Sequence, residues 1–218
     1  MTIPDTAELR QSIIDGCLWM NRRQLNQGTA GNISVRCGAG MLITPTGVPY
    51  DQMTPEMLVS MPLTGTPDPA LGPSSEWQFH QRLLRDRPDM AVVVHAHPPY
   101  CSVLAVQRRA IPACHYMIAA FGGDEVPLAG YALYGSQTLA DEVAKAMARH
   151  HACLMANHGA TVLGENMARA LWRMEELETL ARTYFLASLG GQAIILSPAE
   201  VAEAAHSFAS YGPAKVRP

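Results

Sequence analysis

Residues 92–105 read VVVHAHPPYCSVLA, and the order of residue types in this stretch says a good deal about what surrounds it. Three consecutive valines make a continuous β-branched apolar run, the pattern of a central strand covered on both faces. Pro98 and Pro99 then stop the strand, because proline donates no ladder hydrogen bond, yet both are tolerated in the first turn of the helix that PPYCSVLAVQ predicts. Residues two apart on a strand project to one face, so His95 and His97 leave the buried run together, their backbones about 6–7 Å apart at a rise of about 3.3 Å per residue. Both imidazoles can therefore reach one ion. His158, in MANHGATVL, lies where a glycine breaks two apolar runs, a natural place for a third ligand from a neighbouring strand. Three protein ligands and an open fourth position make the usual catalytic zinc arrangement. The other histidines weighed, His80 on a helix, His150 and His151 at a helix end and His206 near the end of the chain, read as structural, since helix-end histidines suit the dipole.

Outward from this strand the chain alternates. AELRQSIIDGCLWMNRRQL (7–25) has apolar residues at helical spacing and ends in NQG, a stop signal. GTAGNISVR and MLITPTG are short β-like runs separated by the turn-like CGAG, and PLTGTPDPALGP (62–73) is a Pro/Gly-rich surface loop. SSEWQFHQRLLRDR is a helix that ends just before Pro88, with Ser74 or Ser75 expected as its N-terminal cap. A helix near 136–149, the strands ACLMA and ATVLG around NHG, and a long helix over 166–189 follow. SPAEVAEAAHSF predicts a last helix with Ser197 as cap and Pro198 in the first turn. This is one sheet layered with helices, an α/β or α+β fold, expected as a single domain over 1–218.

Composition narrows the function classes. The 218 residues are 48% hydrophobic and 16% charged, enough for a substantial core, and the formal charge of −3 with pI near 6.2 provides no basic face for nucleic acid. No apolar run approaches the roughly 20 residues of a membrane span, and MTIPDTAELRQ carries no charged-then-apolar signal. The expectation is a cytoplasmic protein with neither a nucleic-acid nor a membrane partner. Cys17, Cys37, Cys101, Cys114 and Cys153 are odd in number and form no CxxC pair, which fits buried, reduced thiols rather than a disulfide framework or thiolate zinc site.

Glu76, after two serines at a helix start, has two readings. Its carboxylate simply favours the positive end of the helix dipole, or it faces the metal as a proton carrier while Ser74 and Ser75 offer hydroxyls and N–H groups to a phosphate. GTAGN and PTG add small residues whose backbone can approach the same anion.

Taken together, LNQGTAGNISVR, GMLITPTGVPYD, PSSEWQFH, VVVHAHPPYCSVLA, IPACHYMIAAFGGDEVPLAGYALYG and NHGATVLGE resemble the class II aldolase/adducin family in order and spacing, over nearly the whole chain. The likeness is strongest to its L-fuculose-1-phosphate aldolase branch. The resemblance implies a three-layer fold, a mainly antiparallel sheet with helices on both sides. It implies Zn2+, with Mn2+ or Co2+ as alternatives, on His95, His97 and His158, with Glu76 as fourth ligand before substrate binds and as acid/base afterwards. It further implies a phosphate site of Gly31, Asn32, Thr46, Gly47, Ser74 and Ser75, and a homotetramer in which Tyr116 reaches the site of an adjacent subunit. The substrate would be a ketose 1-phosphate cleaved to dihydroxyacetone phosphate and a small aldehyde. Tyr134 and Tyr211 match an aromatic and a C-terminal tyrosine of the relatives, with packing an equal alternative. Met117, Ile118 and Phe121 fit an aldehyde pocket less well than the core. The same histidines and glutamate would serve a methylthioribulose-1-phosphate dehydratase, and the metal also serves epimerases of the family. An adducin-like scaffold would have lost the ligands. The two lysines, Lys145 in a helix and Lys215 near the end, are not placed for a Schiff base.

Overall fold

The computed structural model describes residues 3–68, 70 and 72–210. Seven strands form one sheet in the order β3-β2-β1-β4-β9-β8-β7, where β1 is Asn32–Cys37, β2 Gly40–Ile43, β3 Val59–Pro62, β4 Val92–Ala96, β7 Leu128–Ala129, β8 Ala152–Met155 and β9 Gly159–Gly164. All neighbours run antiparallel except β7 and β8. β5 (Ile111–Pro112) and β6 (Glu125–Val126) form a separate two-stranded ribbon. The strand carrying the valines is the middle one, and all five of its residues are buried.

Alternation along β4 divides the core. Val92, Val94 and Ala96 pack with α1 (Ala7–Arg22), α3 (Pro99–Val106) and α5 (Met167–Leu189) on one face. Val93 packs on the other face with Phe79, Leu83 and Leu84 of α2 (Trp77–Asp86) and Leu139, Ala140 and Val143 of α4 (Gln137–Ala146). His95 follows the parity of Val93 and meets the Phe79 ring edge-on at 5.6 Å between centroids. The expected layering of helix, mainly antiparallel sheet and helix is therefore observed. It leaves a histidine, rather than a valine, at the end of the central strand beneath the start of α2.

The helix starts follow local chemistry. Thr6, Ser136 and Asn166 cap α1, α4 and α5 by accepting a backbone N–H three residues on. At α6 (Pro198–Ser210) Ser197 and Glu200 exchange hydrogen bonds in a capping box. The expected serine cap of α2 is not formed. Ser74 N–H donates to Thr44 carbonyl at 2.9 Å beside a Pro45/Pro73 bridge, so the chain is still extended there and the helix begins at Trp77 with Glu76 at the N-cap position. The 62–73 loop is likewise shorter than expected at its start, because Pro62 pairs with Gly40 at the end of β3. No helix among the described residues is long and apolar enough to cross a membrane.

Candidate active site

The register of the sheet assembles the centre. Asn32 is opposite His95 across β1 and β4, and His95 is opposite Thr161 across β4 and β9. His97 lies just past the end of β4. His158 ends the tight turn between β8 and β9, with its N–H donating to Met155 carbonyl at 3.0 Å. The turn needs Asn157 in the left-handed region (φ 55°), which asparagine tolerates better than most residues, and a close approach at Gly159, where a Cβ would stand 2.5 Å from the Ala96 carbonyl oxygen.

The three histidines offer ligand nitrogens that all lie within 4.8 Å of one another. His95 Nε2 and His97 Nε2 are 3.2 Å apart, and Glu76 brings Oε2 to 3.2 Å from His95 Nε2 and Oε1 to 3.4 Å from His158 Nε2. His95 Nδ1 donates to the Ala160 carbonyl at 2.9 Å, which leaves the Nε2 lone pair aimed at the centre. Burial and mutual proximity hold the rings neutral: the pKa of fully buried His95 is pushed down to about 3, chiefly by burial and then by His97. That of His158 falls to about 4 through burial and His95, against the opposing pull of Glu76, and His97 is also lowered by burial. Glu76 is itself buried, and its Oε1 has no hydrogen-bond partner among the described residues. Convergent imidazole lone pairs and an orphaned carboxylate oxygen, all buried together, fit a divalent cation and fit little else.

A cavity of about 400 Å³ opens beside this centre. Gly31, Asn32, Thr46, Gly47, Ser74 and Ser75 all line it together with Glu76, His97, His158 and Tyr134. The pairing that prevents a serine cap also creates this wall: Thr46 N–H donates to Gly72 carbonyl and Ser74 N–H to Thr44 carbonyl, placing the PTG turn against the two serines. Tyr134 stands at the rim with Tyr131 and Leu133, all three exposed. Their loop is tied to α2 by Gln78, whose amide donates to the Gly135 carbonyl at 2.7 Å.

Three contacts around the cavity are not evident from sequence. The buried Tyr50 hydroxyl lies 2.6 Å from the Ala30 carbonyl and 2.8 Å from that of Gly31, and accepts from Asn26 Nδ2 at 3.0 Å. Asn26 in turn accepts from the His97 backbone N–H at 3.3 Å, so one brace joins the glycine loop to a metal-ligand candidate. Gly31 is required here, since its φ is 77° and a Cβ would meet Asn26 Nδ2 at 2.5 Å and the His95 carbonyl oxygen at 2.6 Å. Gly31→Ala is expected to cost about 3 kcal/mol, from about 1–2 for the left-handed backbone and 1–3 for overpacking, and to lower the melting temperature by roughly 6–12 °C; a thermal melt within 2 °C of wild type, about the shift 1 kcal/mol would give, would show that the loop yields freely. The third contact is His80, expected to be a structural helix histidine suited to a dipole. It is fully buried and hydrogen-bonded to Ser34 and Asn32.

Tyr116 is elsewhere. It opens a 3₁₀ segment, Tyr116–Phe121, is 52% exposed, and lines a different hollow with Trp172 and Phe208, so within one chain it does not face the Glu76 cavity. Met117 shares that second hollow, whereas Ile118 and Phe121 are core residues. Tyr211 and Lys215 lie outside the described residues, and Lys145 is on α4, away from the cavity.

Residues 11–185 match the family described as Class II Aldolase and Adducin N-terminal domain. The chain belongs to the class II aldolase and adducin family. It is 43% identical over 206 residues to L-fuculose phosphate aldolase of Escherichia coli (strain K12), covering 94% of this chain and 96% of that one. It is 39% identical to 5-methylthioribulose-1-phosphate/5-deoxyribulose-1-phosphate aldolase of Escherichia coli O45:K1 (strain S88 / ExPEC), covering 94% and 97%. A solved L-fuculose 1-phosphate aldolase superposes with a TM-score of 0.88 at 34% identity, covering 94% of this chain and 97% of that one. The class II aldolase fold thus accounts for the whole seven-stranded sheet and both helical layers.

Proposed function

We propose that this class II aldolase reversibly cleaves a ketose 1-phosphate between C3 and C4, giving dihydroxyacetone phosphate and a small aldehyde. The observation that carries the reading is the cavity where His97 and His158, an unpartnered Glu76 oxygen and a wall of small, N–H-rich residues face one another, with His95 of the same neutral triad buried directly behind them. Relatives named for fuculose, methylthioribulose and deoxyribulose phosphates agree with a shared phosphorylated end and a variable aldehyde end. His95, His97 and His158 would hold a divalent ion, zinc by preference for imidazole in this number. Such an ion supplies Lewis-acid stabilisation of the negative charge that collects on the ketose oxygens.

The chain's own groups do the rest. Gly31, Asn32, Thr46, Gly47, Ser74 and Ser75 hold the phosphate through backbone N–H groups and hydroxyls and so orient C3 toward Glu76. Tyr116 of a neighbouring copy, in a homotetramer and acting as its phenolate, takes the proton of the C4 hydroxyl as the C3–C4 bond breaks and its electron pair moves to C3. Glu76, entering the step protonated, delivers that proton to C3, and the proton held by Tyr116 returns to Glu76 through solvent, so over a turnover the C4 hydroxyl proton is the one C3 gains. Tyr134 at the rim forms one wall for the aldehyde half. The enzyme would act in the cytoplasm.

The test is a panel of fuculose, 5-deoxyribulose and 5-methylthioribulose 1-phosphates, followed by dihydroxyacetone phosphate release with and without chelator. Release that chelator abolishes and added zinc restores is expected from at least one. Loss of water with the carbon chain intact would replace the reading with a dehydratase, an epimeric ketose as sole product with an epimerase, and no turnover with no bound metal with a scaffold.

A further inference from the structure

Behind Glu76 runs a line of buried hydrogen bonds that ends inside the sheet. Asn32 Nδ2 donates to Glu76 Oε2 at 2.9 Å, His80 Nε2 meets Asn32 Oδ1 at 2.5 Å, and His80 Nδ1 meets Ser34 Oγ at 2.7 Å. All four residues are buried; Asn32 and Glu76 edge the cavity, while Ser34 and His80, at 0% exposure, close the inner end of the line to solvent. The polarity is forced from one end. Oε2 only accepts, whether or not Oε1 carries a proton, so the Asn32 amide must present its N–H to Glu76 and its oxygen to His80. His80 must then carry its proton on Nε2, and its Nδ1 accepts from the Ser34 hydroxyl. Burial disfavours a charged ring in which both nitrogens would donate, in keeping with a lowered pKa.

The backbone makes the line rigid. Ser34 and Asn32 are alternate residues of β1 and so face the same side, while Glu76 and His80 are four apart at the start of α2 and share one face of the helix. His80 also stacks on Phe79 at 4.5 Å between centroids, which fixes the ring plane.

We infer that His80 is a positioning residue: through Asn32 it fixes which way the Glu76 carboxylate presents its second oxygen to the reacting carbon. Without the His80 N–H, the Asn32 amide still turns its N–H toward Glu76 but loses the partner that pins its oxygen, so the side chain can shift and Oε2 is no longer held in one place. Oε2 lies 3.2 Å from His95 Nε2 and Oε1, the orphaned atom, 3.4 Å from His158 Nε2, and Oε1 keeps that place only while Oε2 is held. The Asn32 side chain is thereby committed to Glu76 rather than to phosphate, to which Asn32 contributes its backbone. The inference rests on the acid/base role proposed for Glu76.

Two measurements test it. Nitrogen-15 NMR of histidine-labelled, zinc-loaded wild-type protein, with the His80 ring assigned by its loss in His80→Gln, is expected to show a proton on Nε2 and a bare Nδ1. A proton on Nδ1 overturns the inference without reference to activity. The second is a cycle of His80→Leu, Asn32→Ala and the double variant. His80→Leu is expected to lower kcat roughly 10–100-fold with KM and bound metal within about threefold of wild type, and His80→Gln, which retains an N–H donor for Asn32, to recover most of that loss. In the Asn32→Ala background the His80→Leu loss should largely vanish. Equal losses in both backgrounds, or a folded His80→Leu with wild-type kcat, overturn the positioning role. A wild-type enzyme without turnover, or a fully active Glu76→Gln, would instead defeat the functional reading on which it rests.

Discussion

Glu76→Gln is expected to lower kcat by a factor of about 10³, within the 10²–10⁴ that a positioned proton carrier contributes, while leaving the metal in place. Glutamine has nearly the shape of glutamate and can still accept from Asn32 Nδ2, so the contact at 2.9 Å and the start of α2 survive. What is lost is the capacity to release and take up a proton at the atom that faces the triad. The three histidines are a sufficient set for a catalytic ion on their own, and each is held independently of Glu76: His95 by the Ala160 carbonyl, His97 through its backbone by Asn26, and His158 by the turn at Asn157. The check is kcat from dihydroxyacetone phosphate release, set beside metal per chain by elemental analysis. A variant within tenfold of wild-type kcat would remove Glu76 from the chemistry. A loss that follows metal content alone would make it a ligand and nothing more.

Much of this site can be read from the chain because its parts are tied to periodic elements. The valine run and the two prolines around His95 and His97 give both the strand and its end, and a two-residue side-chain period then puts the rings on one face. Ser74, Ser75 and Glu76 sit where α2 nears its start, although the cap itself depends on a pairing with Thr44 that no local signal encodes. The strands β5, β6 and β7 are two residues each, too short to carry any period. Non-local contacts account for the remainder. Asn26 and Tyr50 are 24 residues apart and meet only because the loop before β1 folds back on itself. His80 did carry a signal, its spacing of four from Glu76 on one helix, but its partners Asn32 and Ser34 are more than forty residues upstream and face it only once β1 is in the sheet. Tyr116 poses a different problem. Its surroundings within one chain are the hollow near Phe208, and the place beside Glu76 proposed for it would be a property of an assembly, which no pattern within one chain encodes.

Metal-free protein is expected to lose stability steadily as pH falls from about 6.5 to 5, and the triad is the reason. In the unfolded chain these histidines take up protons near their ordinary value of 6.5, whereas in the fold His95 stays neutral down to about 3 and His158 to about 4, with His97 and the buried His80 also lowered. A group whose folded pKa is depressed favours the unfolded state at every pH below its unfolded value, so the penalty begins near 6.5 and grows until the folded pKa is reached. Each such histidine contributes a slope of about 1.4 kcal/mol per pH unit. Thermal melts of chelated protein between pH 7.5 and 5 should therefore fall, with a shallower slope in His158→Gln by about one histidine's share. Bound metal adds stability in proportion to its occupancy, and because the folded rings stay neutral over this range, protons do not displace it there, so the gap in melting temperature between loaded and chelated protein should stay nearly constant from pH 7.5 to 5. A chelated melting temperature unchanged from pH 7 to 5 would mean that the three rings are not buried neutral in solution, and the site as described would fail with it.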